Sequence, residues 1–179
     1  MRIHTFTTIL LGALLLTGCT KEDQKELAVE AELLLQYNSI ELTVDPGTYD
    51  GQLELTLNFS GQELSDLMSN NGYTMDQLQE FNFTKADLRI MTPDQQNFDL
   101  VDMAEMKLSA TGLDTRSIAA INPVPEGVRD LSLTLSDVNV ADLLRSPDVS
   151  LKMVTEMHGT LADTVRVRVD LGGRVVVEL

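Results

Sequence analysis

The chain has 179 residues, of which 28 are acidic and 13 basic, for a formal net charge of −15 at neutral pH. A body this acidic is repelled by nucleic acid and by an anionic membrane surface, so neither is expected to bind it through charge. Aromatic residues are only 4% of the chain and tryptophan is absent, which weakens a carbohydrate site built on stacked rings.

The first element is an apolar run, Ile9 to Leu16, preceded by Arg2 and His4. This is the layout of a secretory signal, and it is too short for a permanent span, which needs roughly 20 apolar residues. The run ends in Leu16-Thr17-Gly18-Cys19, which holds the only cysteine of the sequence. That stretch resembles the lipobox of bacterial lipoproteins. The resemblance implies that a peptidase recognising Leu16, Thr17 and Gly18 cuts before Cys19, whose sulfur carries a diacylglyceryl group. One acyl chain binds a membrane only marginally, whereas two make a firm tether. A lone cysteine also leaves no intrachain disulfide to form.

Lys21-Glu22-Asp23 follows. A lysine and two acidic residues in this place resemble the surface-export signal of Bacteroidetes-type lipoproteins, which implies an outer-membrane protein facing outward. The alternative is a lipoprotein facing the periplasm. Thr20 stands where enteric lipoproteins retained in the inner membrane have Asp, so that retention signal is absent. No later stretch is long and apolar enough to cross a membrane as a helix. The expected organisation is a cleaved signal at 1–18, a lipidated cysteine and charged tether at 19–26, and one domain at 27–179. Cleavage removes Arg2 and no acidic residue, so the remaining chain is one unit more negative.

Within 27–179 the periodicity is mostly that of strands. Residues 27–37 fit either a strand or one helical face, and the sequence leaves the choice open. Ile40, Leu42 and Val44 alternate with polar residues, Asp45-Pro46-Gly47 turns, and Leu53, Leu55, Leu57 and Phe59 alternate again, which predicts a hairpin. Ser60 with Glu63, and Thr74 with Gln77, are spaced as capping boxes of two short helices. Further alternating runs cover Ala86–Ile90, Met106–Ala110, Leu131–Leu135, Val149–Met157 and Val165–Leu171. Gly172-Gly173 has the composition of a two-residue hairpin turn, with Arg174–Leu179 as the returning strand. About eight short strands without alternating helices predict a mainly β fold, an antiparallel β-sandwich of immunoglobulin-like architecture with two inserted helices. A closed barrel or curved lipid-holding sheet is the second reading.

Chemistry-bearing residues are sparse. His158 is the only histidine after the signal, and no nucleophile motif accompanies it. The chain is therefore expected to have no catalytic residues, no cofactor and no metal. Asp137–Asp142 and the Asp45/Asp50 loop offer oxygens for calcium, but the first lacks the turn glycine such a loop uses. Asp163-Thr164-Val165 fits a short O-glycosylation pattern of Bacteroidetes-type surface proteins, with Thr164 as acceptor. The functional expectation is a lipid-anchored, non-catalytic binding or accessory module whose partner is a protein or glycan. Its specificity is expected in loops 45–51, 92–98 and 112–126. The alternative is a periplasmic carrier or sensor of an apolar molecule or lipid.

Overall fold

In the computed structural model, which describes residues 30–178, the period-two alternation becomes two antiparallel sheets packed face to face. The elements in chain order are β1 (Glu30–Gln36), β2 (Ile40–Val44), β3 (Gly47–Leu57), α1 (Gln62–Asn70), a 3-10 turn (Met75–Gln77), β4 (Leu78–Thr92) and β5 (Val101–Ser109). They continue with β6 (Arg116–Ile121), β7 (Asp130–Ser132), β8 (Thr134–Leu135), α2 (Ala141–Leu144), β9 (Ser150–Leu161) and β10 (Val165–Glu178). One sheet has the order β1/β2–β10–β4–β7 and the other β3–β9–β5–β6–β8. The expected antiparallel sandwich is present, and its strand order is that of a jelly roll, two interleaved Greek keys. Among the described residues, both sheets pack on one core between them.

The segment left open by sequence is strand. Ala31, Leu33 and Leu35 point inward and alternate with Glu30, Glu32, Leu34 and Gln36, because pairing with β10 overrides the helix preference of Ala, Glu and Leu. β1 and β2 lie on the same side of β10, where Gln36 faces Gly172 and Ile40 faces Val169. Three residues of the edge thus face two of β10, a bulge that sends Tyr37 into the core. There it packs on Phe59, Phe81 and Phe83, with ring centroids 5.0, 6.3 and 6.5 Å away.

Several expectations are corrected. The run from Ile40 to Phe59 is not a hairpin: β2 pairs with β10 and β3 with β9, so the Asp45-Pro46 turn crosses between sheets. Both strands bury a face, and periodicity alone does not name the partner. Gly172-Gly173 is not a turn, because β10 runs unbroken through it. A Cβ on Gly173 would lie 2.1 Å from the Phe81 ring, so the glycine makes room for an aromatic on the facing strand. The run Leu131–Leu135 divides into β7 and β8, one in each sheet. Glu63 does not close a capping box with Ser60. The helix begins at an uncapped Gly61, and Glu63 accepts the backbone N–H of Asn38 at 3.3 Å, tying α1 to the edge bulge. The Thr74–Gln77 box is formed as expected.

The registers define two ends. Glu30 faces Glu178 and Leu78 faces Val177, so β1 begins where β10 finishes; α1, α2 and the 110–115 connection lie at this helix end. The opposite, loop end carries the connections 45–46, 93–100, 122–129 and 162–164. Buried side chains from both sheets, among them Phe81, Leu88, Met106, Leu151 and Leu171, form one continuous core between the ends. Each such side chain contributes roughly 1.5–3 kcal/mol relative to exposure.

Candidate functional site

The loop end is built on a network of side chain to backbone bonds. Arg129, just before β7, donates to the carbonyls of Ile90 (3.1 Å), Pro93 (3.3 Å) and Asp94, so its guanidinium is turned inward as a clamp on the 93–100 loop. Asp99 accepts the N–H of Gly127 at 2.5 Å and the Asn97 amide at 2.7 Å. The N–H of Phe98 reaches the Val128 carbonyl at 2.9 Å, and that of Val124 the Asp102 carbonyl at 2.9 Å. Two loops far apart in sequence are thereby joined into one platform. Asp94, Asp99 and Glu126 are exposed on it.

The loop lengths expected from sequence need revision here. β3 starts at Gly47, so the first loop is only Asp45-Pro46, and its turn is held by the Tyr49 hydroxyl donating to the Asp45 carbonyl at 2.6 Å. Residues 116–121 are β6, so the third loop divides into 110–115 at one end and 122–129 at the other. The 93–100 loop is close to the expected 92–98.

Under the platform, between the sheets, lies an apolar cavity of about 50 Å³ lined by Phe98, Leu100, Leu53, Met157 and Val165, among others. Its walls are mostly hydrocarbon, with Gln96, Asn97 and Thr155 as the polar residues among them. Thr155, the buried polar residue of the core, borders this cavity and makes only a long bond, 3.4 Å, to the Leu53 carbonyl.

His158 stands on the outer face of β9, with Nδ1 2.9 Å from Asp102 Oδ2. Both side chains are more than half exposed, at 57% and 58%. No hydroxyl is hydrogen-bonded to His158 among the described residues. This is a histidine–carboxylate pair without a nucleophile.

In the Asp137–Asp142 candidate for calcium, two of the three oxygen-bearing side chains are engaged internally. Asn139 Oδ1 accepts the N–H groups of Phe81 (3.1 Å) and Ala141 (3.0 Å), while its Nδ2 donates to the Gln79 carbonyl (3.0 Å). Asp142 is held bidentate by Arg116 at 2.5 and 2.6 Å, and that bond keeps its carboxyl below the ordinary range. No group of three or more His, Cys, Asp or Glu is placed to hold a metal among the described residues. Lys85, Lys107 and Lys152 form exposed or half-exposed pairs with Asp87, Glu105 and Glu54. The Tyr37 hydroxyl is buried without a hydrogen-bond partner among the described residues, and burial, then Glu63, pushes its pKa far upward. Its ring is a packing element.

Thr164 is exposed in the β9–β10 turn at the loop end. Leu16, Thr17, Gly18, Cys19, Lys21, Glu22 and Asp23 lie outside the described residues. No helix among the described residues is long and apolar enough to cross a membrane. The platform itself was not legible in sequence, because Arg129 and Asp99 act on backbone groups some 30 residues away and belong to no motif. We find no match between this chain and any protein-family model or curated protein.

Proposed function

We propose that the chain is a lipid-anchored, non-catalytic binding or accessory module of the outer membrane, tethered through Cys19 at one end and presenting the joined loops at the other. The observation that carries this reading is the topology. The described chain begins at Glu30 in the helix end, eleven residues after the expected anchor at Cys19, while loops 93–100 and 122–129 close the opposite end. A body held in this way turns its loop platform away from the bilayer, toward a protein or glycan partner. Loops fixed on a rigid scaffold are where binding specificity commonly lies. The Lys21-Glu22-Asp23 triplet supports exposure at the cell surface.

The carrier reading is less well supported. Small-molecule pockets run to about 300–1,000 Å³, well above the apolar cavity found between the sheets.

The test has two arms. Cys19→Ala should abolish labelling by a fatty-acid probe, and labelling that persists overturns the anchor. In cells carrying the native chain, an amine-reactive crosslinker should yield a partner adduct. Replacing residues 94–99 and 123–128 by short Gly-Ser turns should remove that adduct while the β circular-dichroism signal stays. An adduct that survives the replacement, or substrate turnover lost in His158→Ala, overturns the loop-binding reading.

A further inference from the structure

We infer that a cleft at the helix end is a binding site for an organic anion, a phosphate or carboxylate group carried on a short apolar body. The cleft lies between the β3–α1 and α2–β9 connections and has a volume of about 340 Å³, within the range of small-molecule sites. Phe59, Met75 and Leu144 give it apolar surface, Ser60 and Ser65 give it hydroxyls, and Arg145 gives it a cation, while the lining Ser146 donates its hydroxyl to Asp148. No carboxylate lines it, in a chain with 28 acidic residues.

Arg145 is the telling residue. Every other described lysine and arginine lies within ion-pair reach of a carboxylate. Arg145 has no such partner among the described residues. One Nη donates to the Leu78 carbonyl at 3.3 Å, which holds the guanidinium at the cleft, and its other N–H groups have no acceptor among the described residues. In a molecule with so large an acidic excess, a cation kept clear of carboxylates is an open fork for an oxyanion. A guanidinium binds phosphate or carboxylate through two parallel bonds, and the apolar wall beside it selects a ligand with a hydrocarbon portion. The chemistry is the same for a soluble anion and for an anionic lipid headgroup, and the cleft sits at the end nearest the expected tether. The inference stands apart from the loop reading, since cleft and platform occupy opposite ends.

The experiment uses the chain from Thr20 onward, which retains every described residue of both sheets and of the core. Hexyl phosphate, hexanol and inorganic phosphate are titrated calorimetrically into this protein and into its Arg145→Gln and Arg145→Lys variants. Hexyl phosphate should bind one to one, and each half-ligand about tenfold or more weaker. Arg145→Gln should weaken hexyl phosphate by about tenfold or more, the scale of a charge-assisted bidentate contact, with Arg145→Lys in between. Arg145 is exposed, so an unchanged circular-dichroism spectrum is expected in both variants. Absence of hexyl phosphate binding, equal binding by hexanol, or undiminished binding in Arg145→Gln overturns the inference. Where binding holds, displacement of hexyl phosphate by phosphatidylglycerol vesicles assigns the anion to a headgroup, and its persistence assigns a soluble ligand.

Discussion

Gly173 shows how one missing side chain can shape a sheet. Phe81 lies across β10 with its ring where a Cβ would sit, and it meets Phe83 edge-on at 5.1 Å. Gly173→Ala should therefore destabilise by about 3 kcal/mol, since neither strand nor ring can shift within a filled core. Phe81→Leu should recover part of that loss in the double variant. Urea unfolding of the four proteins checks it, and strictly additive losses would mean that the ring is not what the glycine accommodates. The same site shows a limit of reading residues in sequence. A Gly-Gly pair after four alternating apolar positions has the local composition of a turn, and only the facing strand reveals it as a space for a ring. Neither glycine of the pair has a positive φ, which a primed turn would have needed. By contrast, the inward face of the Val165–Leu171 run was legible, because alternation along one strand sets which face a residue takes.

At the scale of elements, most strands and the Thr74–Gln77 capped turn came through because they depend on neighbours in sequence, while strand partners and the start of α1 did not. The strongest long-range clamp is Arg116 on Asp142, which fixes α2 to β6 while Asn139 fixes the same segment to β4. In the sequence these residues resemble a calcium loop, since oxygens spaced for a cation are also spaced for an arginine and for backbone amides. The bond to Arg116 lowers the folded-state pKa of Asp142 below its unfolded value. The stability it adds is therefore fully present above about pH 4 and is lost as the pH falls through the lower, folded value. Both side chains are partly exposed, at 29% and 37%, so solvent screening holds the contribution to about 1 kcal/mol. Asp142→Asn should be less stable by that amount at pH 7 and should lose less stability than the native chain between about pH 4 and pH 2. Urea midpoints at pH 7, 4 and 2.5 test this. A constant gap across all three would show that the carboxylate's charge contributes nothing.

For the whole molecule, the jelly-roll order turns a statement about strands into one about direction. Because the first described strand starts at the helix end and four connections gather at the other, a chain anchored ahead of β1 has a near and a far end. Thr164, in the far β9–β10 turn, and Asp114, in the near 110–115 connection, are both exposed and serve as reporters. The only native cysteine is the expected acylation site, so a second cysteine introduced at either place would be the sole free thiol. In lipidated protein reconstituted into vesicles, a bulky maleimide-polymer should label outward-facing Thr164→Cys several-fold faster than Asp114→Cys, because the near end is crowded by the bilayer. In the corresponding Cys19→Ala proteins, freed from the membrane, the two rates should converge. Equal labelling in vesicles would mean that the body lies on its side or swings freely on its tether, and the platform would then have no preferred outward face.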